Sequence, residues 1–385
     1  MKAGFVLVQL LGHATHGRNL QRVLAGRKEI SHWTLQVPFA KAHPLYGRMG
    51  EDLVFRTYMD TLRSLGGSSY PADALFFHTY DAALFSPHIV RRVPSVISLD
   101  ATPLQFKRLN GFDLPSSRKF TVAEKIKVAI LRSTRLKMRL VQSILGNARR
   151  VVTWSQWAKG SVVNEYGISP EKVTCIPPGV DTQRFAPAER KNSAVTRIVF
   201  VGGEFERKGG DLLVKWMRER GLGLGCEIHV VTKSAVEATE GIVVHRDIEP
   251  NSDRLIALLQ QSDIFALPTR AECFGIALVE AMSVGLAVVS SRITAIPEII
   301  QHGESGILTE AGDYTALAEV LERLVKNPAL RLALGGAARK DAERRFTLNN
   351  YNELIDCFLE HTASPVTTSA KPASFKTLLG RRSVC

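Results

Sequence analysis

Cysteine is scarce. The 385-residue chain holds five, at Cys175, Cys226, Cys273, Cys357 and Cys385, with no Cys-x-x-Cys pair. That excludes a disulfide framework and the usual structural zinc site, and points to reduced thiols in a cytoplasmic protein. No apolar run approaches the ~20 residues needed to span a bilayer. The short apolar run at 5–11 has no small-residue cleavage site and leads into a Gly/His loop, so it reads as a first strand and not as a signal peptide. The loop lacks Gly-x-Gly-x-x-Gly, which removes a dinucleotide fingerprint. Internal repeats of useful period are absent. Negative charge is short as well: 37 acidic residues face 50 lysines and arginines.

What is present fits a globular chain of two or three domains, with 45% hydrophobic and 23% charged residues. Buried-strand runs at 5–11, 74–77, 96–99, 151–155 and 173–176 alternate with helical stretches. A second series follows at 197–201, 226–231, 241–245, 263–267 and 287–290. This alternation predicts α/β domains with parallel sheets. Polar residues close several strands, among them His78 and Asp100. Such residues project into the crevice where doubly wound sheets bind ligands. Gly12 and Gly17 bracket a loop expected between the first strand and a helix from Leu20, with His13 and His16 as its polar groups. The Pro177-Pro178-Gly179 cluster marks a linker, with a boundary near 178–195.

The positive charge is uneven. Twelve lysines and arginines lie between Lys107 and Arg150, opposed only by Asp113 and Glu124. A capping box at Thr121 and Glu124 opens an amphipathic helix with Lys125, Arg132, Arg135 and Arg139 on one face. The plain expectation is a surface helix docked by its apolar side. The sharper one adds an anionic membrane surface. No aromatics interleave in the helix, so no nucleic-acid partner is expected.

Two stretches carry the chemistry. In the first, a strand ends at Leu267 and a helix opens near Gly275 and stops at Gly285. The amides of Phe274, Gly275 and Ile276 then have no helical partner, an arrangement that attracts phosphate. Glu272 and Glu280 flank this helix start, eight positions apart. Acids beside a phosphate make sense when they face the hydroxyls around it. In the second stretch, Gly202 to Gly210 form a glycine-rich strand-to-helix turn carrying Arg207 and Lys208. A guanidinium fork and an ammonium there suit a pyrophosphate.

The string around Glu272 and Glu280 resembles the Glu-x7-Glu motif of retaining glycosyltransferases of the family 4 type. The resemblance extends to Ile296-Pro297-Glu298-Ile299-Ile300-Gln301-His302-Gly303-Glu304-Ser305-Gly306-Ile307-Leu308 and covers about 170–350. It implies the GT-B architecture: two Rossmann-like doubly wound parallel-sheet domains facing across a cleft. The divisions it suggests are an acceptor domain at 1–180, a nucleotide-sugar domain at 181–345, a returning helix at 346–362 and a disordered tail at 363–385. By the same resemblance Glu272 contacts the donor sugar and Glu280 the ribose hydroxyls. Lys208 and Arg207 bind the diphosphate together with Phe274, Gly275 and Ile276. Asp100, His78, Gly12 and Gly17 fall on the acceptor side, with Asp100, Glu272 and Lys208 as the catalytic set. Two positions depart from the family pattern. Asp100 stands where a histidine is common, and Gly203 stands where an arginine is usual, leaving Arg207 to replace it.

The expectation is therefore a retaining, metal-independent hexosyltransferase-like enzyme with no cofactor. Its donor is a nucleotide diphosphate-sugar and its acceptor a carbohydrate or lipid-linked hydroxyl, in cell-surface polysaccharide, lipopolysaccharide or glycolipid synthesis. Its place is the cytoplasm, or the inner face of the cell membrane. The alternatives are a nucleotide-sugar epimerase or phosphorylase on the same fold, or a non-catalytic basic protein that binds a membrane surface.

Overall fold

The computed structural model describes residues 1–9, 11–38, 72–84, 87–109, 134–189 and 195–363. Twelve strands form two sheets among them. The first sheet contains β1 (Lys2–Gln9), β2 (Ser31–Pro38), β3 (Ala74–Phe77), β4 (Ser95–Leu99), β5 (Arg150–Thr153) and β6 (Val173–Cys175). Their spatial order is β2-β1-β3-β4-β5-β6. The second contains β7 (Thr196–Val201), β8 (Cys226–Val231), β9 (Ile242–His245), β10 (Ile264–Leu267), β11 (Ala287–Ser291) and β12 (Ile307–Thr309). Its order is β12-β11-β10-β7-β8-β9. All pairings within both sheets are parallel. The architecture is the GT-B arrangement of two Rossmann-like domains.

Parallel strands buried on both faces need apolar residues at nearly every position. β3, β4 and β10 are buried throughout. The strand order decides where a ligand fits. In the first sheet the order reverses between β1 and β3, and in the second between β7 and β10. A crevice opens beyond the carboxyl ends of the strands at each reversal. The exits of β1, β3, β7 and β10 are the stretches that carry the candidate residues.

The last helix, Asn349–Thr362, returns to the first domain. Tyr351, Leu354, Ile355 and Phe358 are buried in one cluster with Phe5, Leu7 and Phe76 of the first sheet. The rings of Phe5 and Phe358 lie 5.2 Å apart. The linker passes close to this return. Val180 bridges Thr347, and a Cβ on Gly179 would lie 1.8 Å from the Thr347 carbonyl oxygen. Glycine is required there.

Three expectations change or fall outside view. Gly12 to Asn19 are not a loop: they lie within the helix Leu11–Leu24. The helix buries His16, Leu20 and Leu24, a four-residue spacing whose first member is polar, so the apolar pattern starts late. The capping box at Thr121 and Glu124, with Lys125 and Arg132, lies outside the described residues. The helix Thr134–Asn147 that follows buries Val141, Ile144 and Leu145. The tail from 364 onward is also outside them.

Candidate functional site

Two strand exits meet at the second sheet's reversal. The β7 exit ends at Gly209, whose φ of 78° is left-handed. A Cβ there would sit 2.0 Å from the Pro268 carbonyl oxygen, so only glycine lets the β7 and β10 exits approach. The Arg270 amide donates to the Arg207 carbonyl at 2.8 Å and ties the two loops together. Lys208 is thereby placed against Glu272, and its ammonium donates to the Glu272 carboxylate. Burial, and then the neighbouring Arg207, lower the Lys208 ammonium below the usual lysine range. Arg207 itself donates to Glu204 and to the Ala271 carbonyl. Its guanidinium braces the two exits.

The helix Ile276–Val284 begins behind Glu272. Gly275 precedes it with φ at 92°, and Gly285 ends it at 80°. The Leu278 amide closes the first turn on the Gly275 carbonyl at 2.9 Å. The amides of Phe274, Gly275 and Ile276 therefore come before the first helical bond. Glu272 is held from behind, since the Thr294 hydroxyl donates to its carbonyl at 2.6 Å. Thr294 has φ at 51°, a left-handed strain in a β-branched residue. Glu280 is buried within the helix. Burial raises its carboxyl to about 7 against the pull of Arg18 and Arg184.

Across the gap stands the first domain. Gly12 lies in the first turn of its helix, where a Cβ would touch Ile276 at 3.7 Å. The amino ends of the two helices thus face one another. Asp100 pairs with His13 at 3.3 Å. Burial would raise the Asp100 carboxyl, but His13 and backbone amides hold it below its usual value. On the second domain, burial and then the facing Asp100 raise the Cys273 thiol well above its usual value. Asp100, Cys273, Glu272 and Lys208 therefore line one gap. Phe274 closes it from the side, its ring 6.1 Å from Trp154 at a right angle.

His78 and Gly17 sit elsewhere than the sequence suggested. His78 is fully buried beneath the gap. It stacks on His16 at 4.4 Å, and His16 stacks on Trp154 at 4.6 Å. Burial and the neighbouring histidines drive the His78 imidazole well below its usual value, so it is neutral. Gly17 packs against Gln9 and Leu7 of β1 and does not face the gap. Its expected acceptor contact came from the loop that the helix replaces.

The structure adds contacts near the gap that the sequence did not predict. Arg18 faces Glu280 and also donates to the Pro250 carbonyl at 3.3 Å, crossing between domains. Glu298 accepts the Gln156 and Trp157 amides, each at 2.7 Å. These open the helix Gln156–Asn164 of the first domain, so a carboxylate of one domain caps a helix of the other. Glu298 was visible in the Ile-Pro-Glu-Ile string, but its partner was not. The loops after β8 and β9 bind each other: Arg246 donates to the Ser234 carbonyl at 2.6 Å.

Among the described residues no group of three or more His, Cys, Asp or Glu could hold a metal. No helix among them is long and apolar enough to cross a membrane. Part of the basic region is spent internally. Arg108 pairs with Glu165 at 2.6 Å, Arg150 donates to Thr174 at 2.6 Å, and the Lys137 ammonium lies 5.7 Å over the Tyr80 ring. Arg139 is exposed.

Residues 26–184 match the family model described as Glycosyltransferase Family 4, and residues 235–341 match Glycosyl transferases group 1. The chain is 26% identical over 255 residues to a D-inositol 3-phosphate glycosyltransferase of Pseudarthrobacter chlorophenolicus, covering 58% of this chain and 61% of that one. It is 29% identical over 208 residues to an MMP alpha-(1->4)-mannosyltransferase of Mycolicibacterium hassiacum, covering 51% and 50%. The matches thus span half to three fifths of these curated relatives. Sucrose-phosphate synthase from Thermosynechococcus elongatus has the same fold, with a TM-score of 0.74 at 16% identity, over 94% of this chain and 99% of that one. Anabaena HepE, solved with UDP-glucose, aligns at a TM-score of 0.65 and 16% identity, over 94% and 99%.

Proposed function

From a chain that carries a glycosyltransferase family 4 region followed by a group 1 glycosyl transferase region, in the fold of solved glycosyltransferases, we propose a retaining transferase. It moves a sugar from a nucleotide diphosphate-sugar to an acceptor hydroxyl in the gap between the domains. One observation carries this reading: Lys208 and Glu272 meet at the amino end of the Gly275 helix, on the sheet reversal and across from Asp100.

The division of labour follows from what each side offers. The second domain, from about 181 to 345, takes the donor. The helix amides and Lys208 receive the diphosphate and stabilise the charge that grows as the sugar leaves. With that charge met by an ammonium and amides, the reaction needs no metal. Glu272 accepts hydroxyls of the sugar, and Glu280 those of the ribose. The first domain, residues 1–180, takes the acceptor and sets Asp100 beside the carbon that becomes oxocarbenium-like. A carboxylate there stabilises the positive charge.

The relatives' names support a hexosyl donor and a hydroxylated acceptor. The HepE complex with UDP-glucose supports a nucleotide diphosphate-sugar. The exposed part of the basic region supports an acceptor at an anionic membrane surface on the cytoplasmic side.

A thermal-shift panel of UDP, GDP, ADP and their common sugars tests the donor. A ligand that binds only the native state raises the melting temperature. Lys208→Ala and Glu272→Ala are each expected to cut turnover at least ~100-fold while the folded spectrum is kept. Near-normal rates in either variant remove the assignment.

A further inference from the structure

We propose that His13 is a positioning residue for the transfer: from the first turn of the helix Leu11–Leu24 it pairs with Asp100 and keeps that carboxylate charged and fixed beside the reacting carbon. The proposal rests on the transferase reading and adds a residue to it.

The geometry comes first. His13 Nε2 lies 3.3 Å from Asp100 Oδ2, and both side chains are mostly covered, at 15% and 21% exposure. The two residues reach the gap from different elements, one from the helix after β1 and one from the end of β4. Their meeting is set by the sheet order, which places β1, β3 and β4 side by side. His13 Nδ1 is buried with no protein partner.

The electrostatic setting explains why a carboxylate here needs help. Asp100 sits near Asp81 and Tyr80 on the helix Tyr80–Ala83, and near Cys273 on the second domain. Burial and the Asp81 charge both favour a protonated, neutral Asp100. Lys137 faces Asp81 rather than Asp100. His16 and His78 lie behind His13 and are neutral, their imidazoles pushed well down by burial. His13 is thus the cation that faces Asp100 from the first domain. In return Asp100 raises the His13 imidazole against its own burial. Removing the cation leaves only backbone amides against the burial of Asp100, so its carboxyl moves up. A neutral acid stabilises positive charge at the sugar poorly.

Three full-length proteins decide the matter: wild type, His13→Gln and His13→Lys. The first readout is the carboxyl ¹³C shift of Asp100 against pH, which needs no donor. His13→Gln is expected to move its midpoint up by at least about one pH unit, and His13→Lys to restore it. The second readout is UDP release from UDP-glucose against pH. His13→Gln is expected to shift the acidic limb of kcat upward by the same one unit, which lowers kcat about tenfold at pH values below that limb, and to leave KM unchanged. His13→Lys is expected to recover the limb.

An unchanged Asp100 midpoint in His13→Gln overturns the proposal. So does a loss in turnover that is equal at every pH and not recovered by lysine, because that marks a merely structural role. A wild-type protein that neither binds UDP nor releases it from UDP-glucose, with the Asp100 midpoint responding as expected, counts against UDP-glucose as donor and against the transferase reading, not against the pairing.

Discussion

At the scale of single residues, Glu280 links binding to stability. Burial raises its carboxyl to about 7, against ~4.3 in an unfolded chain. The sign follows from linkage. An acid whose folded value is raised costs stability when ionised. The cost is absent below about pH 4 and grows as pH rises towards 7, where it levels. Glu280→Gln removes the titration. The ligand-free variant is expected to be more stable than wild type at pH 8, by on the order of 1–3 kcal/mol, and about equal at pH 4.5. Urea unfolding at both values reads the difference. On the proposed reading nucleotide diphosphate affinity should fall in the same variant, since the carboxylate assigned to the ribose hydroxyls becomes an amide. A stability gain that is the same at both pH values would show that Glu280 is not the titrating group.

At the scale of elements, the strand exits are shaped by glycines whose roles differ in severity. At Gly209 an added Cβ meets backbone, the Pro268 carbonyl, and φ is left-handed. Backbone cannot rotate away as a side chain can. Gly209→Ala is expected to cost more than ~2 kcal/mol and to weaken nucleotide binding, because Lys208 leaves its place. At Gly275 the nearest atom is the flexible end of Leu278, at 3.0 Å. Gly275→Ala carries mainly the left-handed backbone penalty, about 1–2 kcal/mol. Denaturant titrations of the two variants should rank in that order. The cross-domain cap is a second element-scale device. Glu298→Ala leaves the Gln156 and Trp157 amides without their acceptor while the Ser155 cap on Ala158 stays, and should cost about 1 kcal/mol. A change below a few tenths would mean that water replaces the carboxylate without penalty.

At the scale of the whole molecule, the last helix belongs in sequence to the second domain and in packing to the first. Its apolar face completes the core around Phe5 and Phe76. The first sheet therefore depends on residues that follow the second sheet in the chain. Phe358→Ala is expected to destabilise the protein by about 3–5 kcal/mol. Calorimetry should show the loss in the transition of the first domain. A loss confined to a separate transition of the second domain would contradict the packing. The Arg18 contact to Pro250 and the Glu298 cap join the two bodies at points near the gap. The two domains are thus tied across the gap.

The sequence determined what local patterning can determine. Apolar runs buried on both faces announced the parallel strands, and Gly275 and Gly285 bracketed the helix Ile276–Val284. Lys208, Glu272 and Glu280 stood out because their spacing around glycines admits a phosphate and its hydroxyls. The helix Leu11–Leu24 was expected only from Leu20, because its buried stripe opens with His16, a polar residue in an apolar role. The tertiary structure alone decided which distant groups meet. His13 and Asp100 are 87 positions apart in the chain, and Glu298 reaches Gln156 across 142. Periodicity reports on one segment at a time, whereas sheet order and domain facing fix such pairs. That is why the stretches around Lys208 and Glu272 were legible in the chain and the charge balance around Asp100 was not.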